Sequence, residues 1–339
     1  MKISIITTIY KAERDLPRLL DSMMTQKSSE LEFFLIDNGS PDKCGEICEE
    51  YKRKDKRFVL YSIKDNVGYI RARNIGIREC SGDYFGFCDS DDYLEPGAYD
   101  RAVEIIKRSR CDLYVTSYRL HNTLTHTDCH PPYAKALYEG CEIKDIILPS
   151  AFGPVNGKGQ LHGFMWKQVF RRSIAINRNL TFIEYLKPYE DQIFNIDFIR
   201  HCNKLYVDDN VIYNYIVNDA SITSVLAKSY DYHGEYNRII SLYEEKLKRE
   251  LDEEHRIANA NTCFIMLSSQ IVKLIHNAKS YSSFIKEYKC VFDVTKVRNI
   301  IGISHMTNSV KYSFTKFCIM HNMLRLLYTV LRGVLKIKR

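Results

Sequence analysis

Three aspartates stand within four positions at the end of an apolar segment. Residues 84–88 favour a buried strand, and Asp89, Asp91 and Asp92 follow it directly. Carboxylates this close repel one another unless a cation lies between them. Mg²⁺ and Mn²⁺ prefer oxygen ligands, and Mg²⁺ typically takes one or two carboxylates together with water and substrate phosphates. The cluster therefore predicts a metal-diphosphate site, with Asp91 and Asp89 as candidate ligands.

The same aspartates also allow a purely structural interpretation. Asp92 or a neighbour would cap a helix that Pro96 begins, and the other carboxylates would be solvated. Acidic residues are common at the start of helices, so the cluster alone leaves both interpretations open.

The elements that must position the cluster alternate between strand and helix. Apolar periodicity predicts strands over residues 2–9, 32–36, 58–63 and 84–88, and helices over residues 13–24, 42–54 and 69–80. This alternation predicts an α/β fold with right-handed crossovers and a mostly parallel central sheet that is covered by helices.

Ligands of such sheets bind beyond the carboxyl ends of the strands, which selects further candidate residues. Thr8 and Tyr10 end the first predicted strand, Asp37 and Asn38 follow the second, and Ser90 lies within the acidic cluster. We expect all of them around one crevice. The first strand is followed by neither a P-loop nor a glycine-rich dinucleotide motif, which disfavours an ATPase and a nicotinamide enzyme.

Two arginines, Arg71 and Arg73, stand in the first turns of the helix predicted over residues 69–80. A planar guanidinium suits phosphate oxygens, and Arg73 is the better candidate to face the crevice and hold a diphosphate. Solvated arginines on a surface helix are the alternative.

Composition indicates a folded protein with one large or two unequal domains. The chain has 339 residues, of which 45% are hydrophobic and 27% are charged. The first residues are too few and too polar for a signal peptide, and no uncharged run reaches the ~18 residues that span a bilayer. The eleven cysteines follow no regular framework, which predicts free thiols and a reducing cytoplasm.

The net charge of +7 is concentrated near the C-terminus. Residues 311–339 contain seven basic residues and no acidic one, so the rest of the chain is formally neutral. A nucleic-acid-binding surface across the fold is therefore not indicated.

Several motifs in residues 1–120 resemble those of family 2 glycosyltransferases, which have the GT-A fold. The matching features are the opening strand up to Tyr10, the turn that begins at Asp37, the stretch from Asn66 to Gly76, and the acidic D-x-D-D. The resemblance implies a nucleotide-sugar donor beside Asn66 and inversion at the anomeric carbon. In one departure, Asn38 stands where many relatives carry an aspartate that accepts a hydrogen bond from the nucleobase.

Glu190 and Asp191 form a second chemical signal under this resemblance. In the family such a pair opens a helix beneath the acceptor site, and the aspartate that matches Asp191 is the general base. A carboxylate on a rigid element, within hydrogen-bond reach of an attacking alcohol, can take its proton. Without the resemblance, the pair would be an ordinary acidic first turn, which the helix dipole favours. Asp191 and Glu190 are therefore the candidate catalytic residues.

The resemblance predicts a metal-dependent, inverting glycosyltransferase that uses Mg²⁺ or Mn²⁺. It would transfer one sugar, most readily from a UDP-sugar, to a glycan or lipid-linked acceptor in bacterial surface polysaccharide synthesis. The chain lacks the Gln-x-x-Arg-Trp motif of polymerising relatives, which favours a single addition. In this hypothesis Asp89 contacts the ribose or a metal-bound water, and Asp91 ligates the ion.

Two other functions stay open at this point. A sugar-phosphate nucleotidyltransferase would usually carry a glycine-rich, basic loop after the first strand, where this chain has Thr7 to Lys11. A non-catalytic glycan-binding or assembly subunit at the membrane would not need Asp91 and Asp191.

The resemblance extends over residues 1–225, which we predict to be the catalytic domain. Residues 1–120 would form its nucleotide-sugar half and residues 121–225 its acceptor half. Near its end, the Tyr213-Asn214-Tyr215 segment and the hydroxyls of Ser221 and Thr223 are expected close to the nucleotide. Residues 226–339 are helical by pattern.

The acceptor half contains three features without an assigned role. A zinc site would need several of the residues His121, His126, Cys129 and His130, but their spacing matches no usual zinc finger. The glycine-rich residues 153–163 predict a mobile loop that could act as a lid. Trp166 is expected to be a packing anchor on a helix rather than a platform for a sugar.

The last predicted helix has an apolar side and a basic side. Its apolar residues recur at intervals of three and four: Met320, Met323, Leu324, Leu327, Leu331, Val334 and Leu335. Arg325, Arg332, Lys336 and Arg339 fall on another side. This pattern predicts a helix that lies on an anionic membrane, which would make the protein peripheral to the inner face of the cell membrane. Packing on the catalytic domain, or on a second copy in a homo-oligomer, is the alternative.

Overall fold

The computed structural model describes residues 1–122, 125–152, 161, 163–186, 190–217, 231–244, 253–305 and 310–337. The chain divides into two units, which are described separately. The first comprises Met1–Ala151, His162–Glu184 and Pro188–Ser224, and the second comprises Phe152–Leu161, Tyr185–Lys187 and Val225–Arg339. The domain boundary predicted at residue 225 lies outside the described residues.

A ten-stranded sheet forms the centre of the first unit. Its strands are β1 (Ile3–Ile9), β2 (Leu31–Asn38), β3 (Phe58–Ile63), β4 (Tyr84–Phe87), β5 (Tyr93–Leu94), β6 (Leu113–His121), β7 (His126–Cys129), β8 (Ala136–Glu139), β9 (Gln168–Arg171) and β10 (Lys204–Ile216). Their order is β3-β2-β1-β4-β9-β6-β10-β5, with β7 beside β6 and β8 beside β10.

The sheet is parallel where the sequence motifs lie. Strands β3, β2, β1 and β4 run parallel to one another, and β6 is parallel to β10. Strand β9 is antiparallel to both of its neighbours, β4 and β6. The predicted α/β fold with a largely parallel central sheet is confirmed.

The described part of the chain up to residue 199 contains further helices besides the three predicted over residues 13–24, 42–54 and 69–80. The bounds of these three are close to the predicted ones. The helices of this part are α1 (Leu16–Met24), α2 (Cys44–Lys54), α3 (Tyr69–Glu79), α4 (Ala98–Ser109), α5 (Leu148–Phe152), α6 (Arg172–Asn177) and α7 (Glu190–Ile199). The helix expected around Trp166 is wrong, because Met165–Lys167 is a single 3₁₀ turn that leads into β9.

Two glycines fix the edge of the sheet at which the candidate residues collect. Gly76 lies on α3, and a Cβ there would be 2.5 Å from Cγ2 of Ile6, so α3 approaches β1 more closely than a larger residue would allow. Gly39 has a φ of +66°, and a Cβ there would be 2.8 Å from the backbone N of Asn66. The turn after β2 and the loop after β3 therefore touch.

The second unit is helical in its described part. Its helices are α8 (Tyr232–Leu242), α9 (Glu253–Asn277), α10 (Tyr281–Val291), α11 (Val294–Ile303), α12 (Val310–Met320) and α13 (Leu324–Ile337). No helix among the described residues is long and apolar enough to cross a membrane.

The apolar stripe predicted on the last helix is partly buried within the second unit. Leu327 and Leu331 of α13 are buried, and the Arg332 guanidinium donates to the main-chain oxygens of Ile275 and Ala278. A neighbouring strip of α13, formed by Leu326, Val330 and Val334, is exposed. Arg332 is therefore hydrogen-bonded within the second unit instead of lying in solvent with the other basic residues. The centre of the exposed apolar strip also differs from the centre of the predicted apolar side of the helix.

Candidate active site

Arg73 links the two acidic signals of the sequence. It is buried on α3, with 6% of its surface exposed. Its Nη1 donates to Asp191 Oδ1 at 2.9 Å, and its Nη2 donates to Asp89 Oδ1 at 2.9 Å. The predicted base Asp191 and the predicted donor-binding residue Asp89 thus share one guanidinium, although Asp191 is 118 positions from Arg73 in the chain.

Aromatic rings hold the Arg73 guanidinium in place. Its central carbon lies 5.3 Å from the ring centroid of Tyr69, 5.5 Å from that of Phe87 and 5.8 Å from that of Phe182. Guanidinium groups interact favourably with aromatic faces. These rings and the two carboxylates leave the Arg73 side chain little freedom, so it can act as a fixed positive charge between Asp89 and Asp191.

The environment of Asp191 is suited to proton transfer near neutral pH. Burial raises the pKa of Asp191 to about 7; the nearby carboxylates of Glu190 and Asp89 also raise it, while Arg73 opposes the increase. A general base is most effective when its pKa is near the working pH. Asp191 lies in the first turn of α7, which fixes its position relative to Arg73.

Glu190 faces a different partner from Asp191. The Tyr69 hydroxyl donates to Glu190 Oε1 at 2.5 Å, and Glu190 is 7% exposed. Its other carboxylate oxygen is buried and accepts no hydrogen bond from the residues that the structure describes. The bond to Tyr69 ties the start of α7 to the start of α3.

Asp92 has a structural role. Its Oδ2 accepts from the Tyr213 hydroxyl at 2.6 Å, and its Oδ1 accepts from the backbone N–H of Ile216 at 2.7 Å. Tyr213 also accepts from the backbone N–H of Asp89 at 3.1 Å. Burial raises the pKa of Asp92 to about 8, and the charges of Asp89 and Asp91 add to this effect. Asp92 therefore joins the acidic loop to β10.

The structural interpretation of Asp92 is wrong. Asp92 does not cap a helix, because α4 begins at Ala98 and Gly97 occupies its N-cap position without a side-chain cap. Asp92 is also not one of the two predicted metal ligands, Asp89 and Asp91, and it is turned towards β10.

Asp91 is the carboxylate of the cluster that is free to bind. Arg18 donates to the main-chain oxygen of Asp91. The carboxylate of Asp91 accepts no hydrogen bond from another residue in the described ranges. Burial raises the pKa of Asp91 to about 6, and the charge of Asp89 adds to the increase. A cation would relieve this repulsion.

Asp89 and Asp91 fit a divalent ion that shares its ligands with a diphosphate. No group of three or more His, Cys, Asp or Glu side chains in the described part of the chain could hold a metal ion by itself. Mg²⁺ rarely uses such a cage and usually binds one or two carboxylates plus phosphate oxygens. The donor set therefore suits a metal that arrives with its substrate.

The predicted donor-binding residues of β1 and β2 lie at the same edge of the sheet. Thr8 is half-buried at the end of β1, and Tyr10 beyond it is 41% exposed. Strands β1 and β2 are parallel, with Ile9 opposite Asp37, and Asp37 Oδ1 accepts from the backbone N–H of Ser40 at 3.0 Å. Ser90 is half-buried in the acidic loop.

Hydrogen bonds of Asn38 and Asn66 connect the end of β2 to the loop after β3. Asn38 Nδ2 donates to Asn66 Oδ1 at 3.1 Å, and Asn38 Oδ1 accepts from the backbone N–H of Val67 at 3.0 Å. Asn38 is 3% exposed, whereas Asn66 is exposed. The amide oxygen of Asn38 already has one partner, so a bond to a nucleobase would need its second lone pair.

The remaining predictions concern the histidines, the cysteines, the lid and two hydroxyl side chains. His121 Nε2 lies 2.7 Å from Asn214 Oδ1, and His130 Nδ1 lies 2.7 Å from Ser117 Oγ, so these histidines have hydrogen-bond partners and form no zinc group with the described residues. All eleven cysteines are free. Most of the predicted lid (residues 153–160 and 162), Ser221 and Thr223 lie outside the described residues.

Trp166 is a packing anchor, as the sequence predicts. It is 5% exposed, and its ring is stacked 4.6 Å from that of Tyr213. Through Tyr213 it supports the loop that carries Asp89 and Asp91.

The sequence pattern does not predict the site contacts of three residues: Arg18, Tyr69 and Tyr213. Tyr213 lies in a segment that the family resemblance marks as close to the nucleotide. Arg18 and Tyr69 carry no such signal, because a basic or aromatic residue in a surface helix is usually solvated or packed.

The fold and the site together define a class of enzyme. A largely parallel sheet presents Asp89 and Asp91 just beyond the end of β4. The Arg73 guanidinium donates both to Asp89 and to Asp191, whose raised pKa suits proton transfer. A largely parallel sheet with acidic residues at this edge is the arrangement of the GT-A fold.

Comparison with known proteins gives the family. The model of glycosyl transferase family 2 matches residues 4–139. An uncharacterised glycosyltransferase from Haemophilus influenzae is 36% identical over 214 residues, which cover 63% of this chain and 76% of that protein. The chain belongs to glycosyl transferase family 2.

Relatives with more specific names are less similar. The poly(ribitol-phosphate) β-N-acetylglucosaminyltransferase TarP of Staphylococcus aureus is 23% identical over 295 residues, or 84% of this chain and 85% of TarP. The structure of S. aureus TarS 1-349 in complex with UDP-GlcNAc has a TM-score of 0.65 and 19% identity, and covers 98% of this chain and 88% of that one. The chain spans 63% of the length of another relative, EpsJ of Bacillus subtilis.

Proposed function

We propose that the protein transfers a single sugar, with inversion, from a nucleotide diphosphate sugar to a glycan or lipid-linked acceptor in bacterial surface polysaccharide synthesis. The observation that carries this proposal is the Arg73 guanidinium, which bonds Asp89 on one side and Asp191 on the other. An inverting transfer needs a base for the acceptor and charge stabilisation for the leaving diphosphate on opposite sides of the anomeric carbon. Arg73 connects the residues that would serve these two needs.

The proposed reaction is one displacement. The carboxylate of Asp191 accepts the proton of the acceptor hydroxyl while the hydroxyl oxygen bonds to the anomeric carbon. The bond from that carbon to the diphosphate oxygen breaks with its electron pair, and the nucleoside diphosphate leaves. Arg73 offsets part of the negative charge on the diphosphate, and Glu190 keeps the start of α7 in position through Tyr69.

A divalent ion, Mg²⁺ or Mn²⁺, completes the proposed site. Asp91 would ligate it and Asp89 would contact it directly or through water, and when bound it would neutralise charge on the departing diphosphate. The support is the pair of carboxylates described above, of which Asp91 has no competing hydrogen bond from another described residue.

The favoured donor is a UDP-sugar. The resemblance of the fold to a protein crystallised with UDP-GlcNAc supports this preference. Thr8, Tyr10, Asp37 and Asn38 would then bind the nucleoside, with Asn66 and Ser90 nearby. The likeness to TarP, which by its name acts on a cell-surface polymer, supports a polymer or its lipid-linked precursor as acceptor.

A screen of nucleotide sugars tests the proposed function. Each sugar nucleotide is incubated with the protein and Mn²⁺, and the released nucleoside diphosphate is measured with and without candidate acceptors. We expect release from one or a few UDP-sugars and one added sugar per acceptor. Formation of sugar nucleotides from sugar phosphates and nucleoside triphosphates would instead indicate a nucleotidyltransferase, and a ladder of long products would contradict single addition.

We also propose that the second unit attaches the enzyme to an anionic membrane. Beyond Asp293 the chain contains nine basic residues and no acidic one. The apolar strip of α13, formed by Leu326, Val330 and Val334, is exposed, and Arg325 is exposed on the same helix. A basic helix with an exposed apolar strip can lie in an anionic interface, where each cation near the surface contributes about 1 kcal/mol.

Val330→Asp is expected to weaken binding to liposomes of anionic lipid by at least ~10-fold, because a carboxylate would have to enter the apolar interface. Thr329→Asp is the matched control, since Thr329 is exposed on α13 but is not part of the apolar strip, and the change in net charge is the same. Sedimentation with liposomes measures both, and ~0.5 M salt should weaken wild-type binding. If the wild-type protein ignores anionic liposomes at low salt, the strip belongs to a protein interface.

Point variants are preferable to deletion of residues 318–339. Leu327 and Leu331 are buried in the second unit, so removal of the helix would expose apolar residues that it now covers. Loss of binding after deletion would therefore not separate membrane attachment from misfolding.

A further inference from the structure

Stacked aromatic rings reach the surface of the first unit. Trp166 is stacked 5.0 Å from Phe164, with 7° between the ring planes, and its ring centroid is 4.6 Å from that of Tyr213, with 10° between the planes. Trp166 and Tyr213 are buried, whereas Phe164 is 38% exposed. The stack therefore runs from Tyr213, which contacts the acidic loop, to an accessible aromatic ring. Accessible rings are common platforms for the apolar faces of sugars.

Phe164 is held beside the helix that carries Asp191. It follows Gly163, where a Cβ would lie 2.7 Å from Cα of Gln192 in the first turns of α7. Asn195 Nδ2 donates to the main-chain oxygens of Gly163, at 2.8 Å, and of Asp191, at 3.2 Å. The residue that precedes Phe164 therefore contacts the first turns of the helix that carries the candidate base, which favours an acceptor role for a sugar that stacks on Phe164.

A buried lysine lies next to the same ring. Lys167 is 3% exposed, and its ammonium nitrogen is 5.6 Å from the centroid of Phe164. Within the described ranges it forms no ion pair and donates no hydrogen bond from its side chain, although its backbone oxygen accepts from Thr116 at 2.9 Å. Burial lowers the pKa of Lys167 to about 8, which still leaves the ammonium largely protonated at neutral pH.

An unpaired ammonium in the protein interior is energetically costly. The contact with Phe164 offsets part of this cost, but among the residues that the structure describes the ammonium has no anionic partner. A phosphate group on a bound ligand would supply that partner, and lysine is a common phosphate-binding residue.

We propose that Phe164 and Lys167 form an acceptor subsite for a sugar that carries a phosphate group. Phe164 stacks on the sugar ring and Lys167 pairs with the phosphate, which selects phosphorylated acceptors over neutral ones. This inference depends on the proposed function, because it assigns the subsite to the acceptor whose hydroxyl meets Asp191.

The single tryptophan of the chain provides a direct test. Because Trp166 contacts Phe164, its fluorescence reports binding at the subsite. Glucose 6-phosphate and glucose are titrated into the wild-type protein, with and without saturating UDP. We expect glucose 6-phosphate to bind at least ~10-fold more tightly than glucose, as for a charge-assisted hydrogen bond. Saturating UDP should leave this preference in place, since the subsite is not the nucleotide site.

Three variants separate the contributions. Lys167→Met should remove the preference for glucose 6-phosphate. Phe164→Leu should weaken both sugars and keep the preference. Lys56→Met, at an exposed lysine before β3, should behave as wild type. Circular dichroism and thermal unfolding establish that each variant is folded, and Lys167→Arg, which keeps the charge, replaces Lys167→Met if the latter does not fold and should retain the preference.

Three results would overturn the subsite, of which two concern the preference for glucose 6-phosphate. One is equal binding of glucose and glucose 6-phosphate to the wild-type protein, and the other is an unchanged preference in Lys167→Met. Displacement of glucose 6-phosphate by UDP would assign the phosphate to the donor site and also contradict the proposal. Failure of UDP to bind at all would count against the proposed function, while the titrations without UDP still decide the subsite.

Discussion

Asp191→Asn is expected to lower kcat by at least ~10²-fold, because the amide cannot accept the proton of the acceptor hydroxyl. Donor binding, measured by calorimetry, should change little, since the amide oxygen of asparagine can still accept the hydrogen bond that Arg73 Nη1 donates. A fall in kcat at nearly constant donor affinity is the signature of an interaction needed for the chemical step.

The matched control for this variant is Asp197→Asn. Asp197 lies on the same helix, α7, and is partly exposed beside Arg200. It should retain wild-type turnover. If Asp191→Asn also retains it, the base lies elsewhere, and Glu190→Gln is the next variant to measure.

The pH dependence provides a second measure of the same role. Asp191 acts as a base only when it is deprotonated, and burial raises its pKa to about 7. The rate of transfer should therefore rise as the pH increases through about 7 and level off above it. A rate that is already at its plateau at pH 5 would show that the essential base has an ordinary carboxylate pKa.

The parts of the site that the sequence predicts are those set by local pattern and by strand direction. Thr8, Asp37 and Asp89 each follow an apolar strand, and parallel strands bring their carboxyl ends to one edge. This reasoning requires only the alternation of strand and helix, which the first four strands follow. It places the proposed donor side of the site before any contact is known.

The acceptor side depends on contacts that local pattern does not reveal. Strand β9 enters the sheet antiparallel between β4 and β6, although its sequence follows that of β6. The bond between Tyr69 and Glu190 joins residues 121 positions apart. Without an alignment, nothing in either segment identifies its partner, so Arg73 is predicted to bind phosphate but not to bond Asp191.

The acidic cluster shows why residue type alone is insufficient. Asp91 and Asp92 are adjacent and chemically identical, yet one carboxylate is open to a ligand and the other bonds Tyr213 and Ile216. Ser90 and Asp91 lie in a turn that the backbone N–H of Asp92 closes by donating to the main-chain oxygen of Asp89, so the two aspartate side chains leave the turn in different directions. Which of the two carboxylates is bonded within the fold depends on β10, more than a hundred residues later in the chain.

Asp91→Asn is expected to lower transfer by at least ~10²-fold and to weaken donor binding, because it removes a ligand of the metal that would hold the diphosphate. Chelation with excess EDTA should have the same effect on the wild-type protein, and added Mn²⁺ should restore activity. Calorimetric titration of UDP with and without Mn²⁺ measures the binding component separately from turnover. Full transfer in excess EDTA would contradict metal dependence.

Asp92→Asn provides the contrast, since it makes the same chemical change one position further along. Asp92 is 1% exposed and its two carboxylate oxygens each accept a hydrogen bond; the single amide oxygen of asparagine can replace only one of them, so we expect Asp92→Asn to lower the melting temperature. Asp91→Asn should leave the melting temperature nearly unchanged or raise it, because its removal relieves repulsion with Asp89. A large fall in melting temperature for Asp91→Asn would mean that this carboxylate supports the fold. Its effect on transfer would then no longer be evidence for a metal ligand.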